Sequence, residues 1–263
     1  MKLQIYQADA FAASLFKGNP AAVVPLKQWL PDELMQQIAL ENNLSETAFF
    51  ISEGDHFYIR WFTPKAEVKL CGHATLATAH VIFNELEFQG EQIEFNSKSG
   101  ILTVKKVEDK LQLDFPADFA QAVEPIPVFA EAFGTHPLAT FKGRTDYLLL
   151  FDSEETIRNF QPDISLLLST NARGIMVTAK GNEVDFVSRF FAPAVGVNED
   201  PVTGSAHTTL IPFWANRLNK TEMTALQLST RGGQLWCTLS GNRVLIAGKA
   251  VTYLRGEIEI HTS

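Results

Sequence analysis

The sequence predicts an α+β fold made twice over: two pseudo-symmetric halves, each a barrel-like sheet of strands wrapped around a central helix. Three observations lead there. First, landmarks recur in order. Arg60-Trp61-Phe62-Thr63-Pro64 returns as Arg189-Phe190-Phe191-Ala192-Pro193, 129 residues on (189 − 60). Gly72-His73-Ala74-Thr75-Leu76 returns as Gly204-Ser205-Ala206-His207-Thr208, and Ser97-Lys98-Ser99-Gly100 as Ser229-Thr230-Arg231-Gly232, both 132 on (204 − 72; 229 − 97). A solenoid repeat has a period of ~20–50 residues, so this spacing marks duplicated half-molecules. Second, residues 74–86 and 206–218 carry apolar side chains around the whole helical circumference, and such a helix must be surrounded. At roughly 15 residues each they fall short of the ~20 that cross a bilayer. Third, most of the remaining chain reads as short strands punctuated by turn signals.

The elements follow in order. Leu3, Ile5 and Tyr6 open a strand, and residues 21–25 form another after the Gly18-Asn19-Pro20 break. Pro31-Asp32-Glu33-Leu34 starts a helix, with proline near its first turn and acids at the positive end of its dipole; Asn42-Asn43 ends it. Residues 47–51 and 57–62 are strands, 72–86 a helix, and 91–97, 100–107 and 110–115 strands. Pro116, Pro125, Pro127 and Pro137 crowd a seam between the halves. Beyond it, 147–151, 174–178 and 184–191 are strands, 204–218 is the second enclosed helix, and strands at 225–229, 234–239 and 243–255 complete the copy. The halves are therefore expected at 1–117 and 118–263, with the last strand free to pack back on the first half.

Composition narrows the function. The chain has 263 residues, 46% hydrophobic and 20% charged, with a net charge of −8. No basic run exists to bind phosphate backbones or an anionic membrane surface, so neither nucleic acid nor membrane is an expected partner. Cys71 and Cys237 alone make no disulfide framework. Apolar residues alternate at the start instead of forming a signal-peptide run, and a cytoplasmic location is expected. His56, His80, His136, His207 and His261 show no ligand spacing with carboxylates, and no dinucleotide or phosphate-loop fingerprint is present. No metal or cofactor is expected.

Both enclosed helices begin with a glycine, Gly72 and Gly204. A helix start offers unpaired N–H groups and about half a positive charge, and glycine admits a ligand close to them. Two such ends facing one cleft would hold a small carboxylate or enolate.

Four motifs add specificity: Gly18-Asn19-Pro20-Ala21-Ala22-Val23, Ser45-Glu46-Thr47-Ala48-Phe49, Cys71-Gly72-His73-Ala74-Thr75 and Asp200-Pro201-Val202-Thr203-Gly204-Ser205. Together they resemble the PhzF-like isomerase family of phenazine biosynthesis, within the diaminopimelate epimerase fold group, from the first strand to the last. The resemblance implies a homodimer and cofactor-free proton transfer by a single glutamate. Carried over residue by residue, it makes Glu46 the acid/base, with His73, Asp200 and Ser205 shaping the substrate pocket.

The residues support that reading on their own chemistry. Glu46 opens the apolar run Ala48-Phe49-Phe50-Ile51, where a partly dry setting would lift its pKa from ~4.3 toward a range suited to taking and returning protons. The duplication sets Arg173 near its equivalent position, so the second half offers no matching base. One carboxylate moving a proton suits an isomerase better than a two-base racemase. His73 can donate to a substrate carboxylate or shuttle a proton. Asp200 can accept from a substrate hydroxyl or amine, or cap a helix. Asn19 touches substrate or simply shapes its turn. In the related two-cysteine epimerases a cysteine precedes each helix-start glycine; here Cys71 holds the first place and Thr203 the second. Two alternatives stand beside the isomerase: a non-catalytic binding member of the fold, and a racemase or dehydratase that depends on Cys71.

Overall fold

The computed structural model describes residues 1–54 and 56–260; His261 lies outside the described residues. The chain begins with β1 (Lys2–Ala10), β2 (Asn19–Leu26), α1 (Asp32–Asn42), β3 (Glu46–Glu53), β4 (His56–Phe62), β5 (Glu67–Val68) and α2 (Gly72–Asn84). Next come β6 (Gln92–Ser97), β7 (Gly100–Val107), β8 (Lys110–Pro116), β9 (Gln121–Val123), α3 (Pro127–Phe133), β10 (Ala139–Lys142) and β11 (Tyr147–Leu150). After these follow α4 (Glu154–Asn159), α5 (Ile164–Ser169), β12 (Ile175–Lys180), β13 (Phe186–Phe191), a 3₁₀ turn (Pro193–Val195) and α6 (Gly204–Leu218). The chain closes with β14 (Glu222–Gln227), β15 (Gly233–Ser240), β16 (Arg243–Gly248) and β17 (Ala250–Glu259).

Two compact units result: Met1–Asp114 together with the chain from Ala247 onward, and Phe115–Ile246. The last strand, left free to pack back on the first half, does so: β17 pairs with β1 from Lys2↔Glu259 to Ala10↔Ala250 and belongs to the first unit, and the boundary expected between 117 and 118 falls between Asp114 and Phe115. The strand expected at 243–255 is two strands. The break falls at Lys249, whose carbonyl accepts from the Ala12 N–H at 3.0 Å.

The duplication is written in the strand pairing. In the first unit the order β17, β1, β2, β3, β4, β6, β7 runs antiparallel, antiparallel, parallel, antiparallel, parallel, antiparallel. In the second unit β9, β10, β11, β12, β13, β14, β15 gives the same series.

The first unit's sheet is apolar on both faces. On its inner face α2 packs against β1, β2, β3 and β17, and His73–Ala79 and Val81–Phe83 are buried. Full burial of Leu76, Val81, Ile82 and Phe83 contributes roughly 1.5–3 kcal/mol apiece. On its outer face Met35, Ile38 and Ala39 of α1 meet Ala22, Val24, Phe49 and Phe62. Strands covered on both sides must read as unbroken apolar runs, which is why residues 21–24 and 48–51 do. In the second unit α6 packs against β14 and β15. α3, α4 and α5 cover the outer face, through Phe129, Phe133, Ile157 and Leu167.

Pro212 sits inside α6 and cannot donate to Thr208. The freed Thr208 carbonyl instead accepts from the Asp118 N–H at 3.0 Å, and Asp118 Oδ2 accepts from Thr209 Oγ1 at 3.0 Å. The helix break thus anchors the segment that opens the second unit.

Gly18 closes the loop between β1 and β2 with φ +68°, and a Cβ there would lie 2.1 Å from the Ala10 carbonyl oxygen. Left-handed strain and that overlap act together. Gly18→Ala is expected to lower unfolding free energy by about 2–4 kcal/mol, read from urea denaturation midpoints; an unchanged midpoint rejects the turn's role.

Candidate active site

Glu46 is the first residue of β3 and pairs across the parallel β2–β3 ladder with Ala21. Paired residues share a face, and alternation sends Glu46, Ala48 and Phe50 toward α2 while Thr47 and Phe49 face the other way. The helix arrives with His73 at its second position, so His73 Nε2 lies 3.2 Å from Glu46 Oε2. The approach is close but lacks the alignment of a formed hydrogen bond at Nε2. Both side chains are shielded, Glu46 keeping 17% of its exposure and His73 7%. On the other edge of the ring, Cys71 Sγ lies 3.5 Å from His73 Nδ1. Burial pushes the His73 imidazole down to about 3, so it is uncharged at neutral pH.

These three groups fall within 4.8 Å of one another. The sulfur addresses Nδ1 and the carboxylate addresses Nε2, on opposite edges of one imidazole. A single ion cannot take His73 through both nitrogens, so the imidazole meets the other two groups by separate edges.

No side chain caps α2 at Cys71 or α6 at Thr203. In place of a capping oxygen, each first turn is braced by a side chain bonded back to the residue before the helix. Thr75 Oγ1 donates to the Cys71 carbonyl at 2.5 Å, and His207 Nδ1, at the equivalent place (207 − 132 = 75), to that of Thr203 at 2.8 Å.

A second brace is also duplicated. Arg60 Nε donates to Glu67 Oε1 at 2.8 Å and a terminal nitrogen to Oε2 at 2.9 Å. Arg189 does the same to Glu199 at 2.7 and 3.0 Å. Each guanidinium also lies over an aromatic ring two residues on, Phe62 at 5.2 Å and Phe191 at 5.1 Å. Each glutamate stands five residues before its helix-start glycine (72 − 67; 204 − 199). The Arg60 guanidinium holds the Glu67 carboxyl below its usual range.

The remaining sequence candidates divide between the units. Asn19 is fully buried at the start of β2, two residues before Ala21 and on the same face as Glu46. Gly72 is half-buried as the first residue of α2. In the second unit Gly204 is buried and Ser205 exposed. Asp200 Oδ2 accepts from Thr203 Oγ1 at 2.6 Å, and Gln227, missed in the sequence reading, donates to the Asp200 carbonyl at 2.7 Å. Gln227 Oε1 also accepts from the Thr203 N–H at 2.9 Å. A recess of about 370 Å³ beside Asp185, Lys220, Trp236 and Cys237 includes none of these residues.

Register corrects the counterpart of Glu46. Thr47 pairs with Phe62 and Ile175 with Phe191, so Thr47 matches Ile175 and Glu46 matches Gly174, not Arg173. A Cβ at Gly174 would lie 2.2 Å from the Phe190 ring and 2.9 Å from Asp146. The second copy has room for no side chain where the first carries its carboxylate, and Arg173 is occupied with Asp146.

The buried histidines set a pH response. His207 is held down to about 4 by burial, only partly offset by its bond to the Thr203 carbonyl. Unfolded histidines charge near 6.5, so below that pH the unfolded chain binds protons that the native state refuses, and stability falls with pH. A loss of about 2–3 kcal/mol per imidazole is expected between pH 7.5 and 4.5, by denaturant titration. His207→Gln should flatten that slope; an unaltered slope overturns the assignment.

The family model for phenazine biosynthesis-like protein (PhzC-PhzF) matches residues 8–256. A Pseudomonas aeruginosa relative named as an uncharacterized isomerase is 53% identical over 260 residues, covering 99% of this chain and 100% of its own. The crystal structure of a PhzF family protein from Enterococcus faecalis has a TM-score of 0.97 at 48% identity, covering 99% of this chain and 100% of that one. A hydroxyproline epimerase from Agrobacterium vitis shares the fold alone, with a TM-score of 0.66 at 10% identity over 98% of this chain and 92% of its own. The Pseudomonas aeruginosa relative is named as an isomerase, and the likeness to the epimerase is one of fold. Among the described residues no helix is long and apolar enough to cross a membrane. With a match to the family model over residues 8–256, a duplicated epimerase-like fold and near-identity of architecture to a PhzF protein, this chain belongs to the phenazine biosynthesis-like PhzC-PhzF family.

Proposed function

We propose that the protein is a cofactor-independent isomerase in which Glu46 takes a proton from one position of a small carboxylate metabolite and returns it at another. The observation that carries this reading is an asymmetry. One copy of the repeat sets a shielded carboxylate 3.2 Å from an uncharged imidazole at a helix start, and the other has glycine in the carboxylate's place. A racemase of mirrored design needs a base on each side; a single acid/base group suits migration of one proton.

The chemistry follows from those groups. Deprotonation next to a carbonyl or carboxylate builds negative charge on oxygen, and fixed N–H dipoles aimed at that charge lower the barrier. The first-turn N–H groups of α2, entered at Gly72, supply such dipoles. His73, neutral, can donate without adding a charge that would fix Glu46 in its ionised form. The proton rests on Glu46 between the two transfers, so no external acid is needed. Asn19, Gly72 and His73 are assigned to substrate binding in the first unit, and Asp200, Gly204 and Ser205 carry the same assignment from the family resemblance. The homodimer that the resemblance implies belongs to this proposal, with light scattering at twice 29.2 kDa as its check.

A screen of small carboxylic acids in heavy water, followed by mass spectrometry, is expected to find substrates that gain deuterium. Glu46→Gln should reduce that incorporation by about 10²–10⁴-fold with the fold intact. Undiminished incorporation by Glu46→Gln sinks the mechanism.

A further inference from the structure

The far edge of the His73 ring holds a group that the proposed proton transfer does not use. Cys71 is buried, and its Sγ stands 3.5 Å from Nδ1, within hydrogen-bonding range for sulfur. Nε2 on the opposite edge faces Glu46 at 3.2 Å. Cys71, His73 and Glu46 therefore form a row in which the imidazole is the middle member.

A neutral imidazole carries one N–H and one bare nitrogen, and which is which depends on its neighbours. His73 is held neutral by burial. While Glu46 is ionised, its carboxylate can only accept, and this favours hydrogen on Nε2. Once Glu46 has taken a proton from substrate, that preference vanishes. A carboxylic acid can donate to a bare Nε2 as readily as it accepts from Nε2–H. If the ring changed tautomer at that stage, the Glu46 proton would be engaged by Nε2 instead of remaining available for return to carbon. What opposes the change must sit at Nδ1, and the group there is a thiol, a weak donor and a weaker acceptor.

Resting on the proton-transfer reading above, we propose that Cys71 is a positioning residue whose S–H donates to His73 Nδ1 and holds the imidazole as the Nε2–H tautomer throughout the cycle. The thiol makes no bond to substrate and exchanges no electrons. It keeps the Glu46 proton pointed at the reacting carbon. Thr203, at the equivalent place in the second unit, instead directs its hydroxyl to Asp200 at 2.6 Å, so this use of the residue before the helix is confined to the first unit.

Nitrogen-15 NMR of ring-labelled protein at neutral pH reads the tautomer without any substrate, with His73 assigned from a His73→Asn spectrum. Wild type and Glu46→Gln, whose neutral amide mimics the protonated acid, are both expected to show a bare Nδ1 and a protonated Nε2. In Glu46→Gln/Cys71→Ala the two resonances should lose their separation and shift toward a tautomer average. Glu46→Gln/Cys71→Ser, which keeps a donor, should restore it. An Nδ1–H signal in wild type or in Glu46→Gln, or a Glu46→Gln/Cys71→Ala spectrum unchanged from that of Glu46→Gln, overturns the proposal. Failure of the acid/base reading shows elsewhere, as deuterium incorporation that survives Glu46→Gln, so the two failures are distinguishable.

Discussion

Each unit is organised around a largely buried helix, and in the first unit that helix has no side fit for water. In α2 the buried positions run from His73 to Phe83 with only His80 partly open, while α6 buries most of its length but leaves Ser205, Asn216 and Arg217 exposed. Such a helix forces its sheet to curve around it, and it removes the usual places where a helix could present chemistry. Only its ends remain. The N-terminal end supplies unbonded N–H groups and positive potential, so polar and titratable side chains collect at the first turn, where Cys71, His73 and Glu46 meet. The same enclosure lowers the affinity of His73 for a proton, because an imidazolium there would be stripped of water.

The frame around those ends has been kept in both copies while the groups at the tips have diverged. Arg60–Glu67 and Arg189–Glu199 share a bidentate geometry, an aromatic ring under the guanidinium and a five-residue distance to the helix-start glycine. Each pair ties a strand to the segment that delivers the helix start. Against that common frame, Glu46 corresponds to Gly174, Cys71 to Thr203 and His73 to Ser205. The first copy brings together Glu46, His73 and Cys71, and the second carries a hydrogen-bonded network of Asp200, Thr203 and Gln227.

The fold was legible where physics acts locally. Apolar circumference marked α2 and α6, α6 at both of its ends. Alternation and turn residues marked most strands, and Asn43, with φ 48°, ended α1 where an asparagine is tolerated. The region after Pro116 was less legible. Its prolines read as a seam, yet Pro127 opens α3, and Ser153 and Asp163 cap α4 and α5 through their own side chains. Those caps were visible in the sequence, but helices of six or seven residues show too little periodicity to stand out. At the site, Glu46 and His73 were found by motif, while their contact needed the register of β3 against β2. The braces were missed although both arginines headed the repeated landmarks, because the glutamates lie beyond the recurring words. Gln227 was hidden altogether: register makes its counterpart Ser97, at the end of β6, so the duplication offered no second glutamine.

Strand β17 has a consequence for biosynthesis. Strand β1 takes one of its partners from residues translated long after it, Lys2 pairing with Glu259, 257 positions downstream (259 − 2). The second unit is contiguous from Phe115 to Ile246 and can fold as it emerges. The first must wait, with one flank of β1 uncovered, until β17 has been translated. An open strand flank invites pairing with other chains, so the nascent chain is vulnerable at β1, and loss of β17 would damage the first unit while sparing the second.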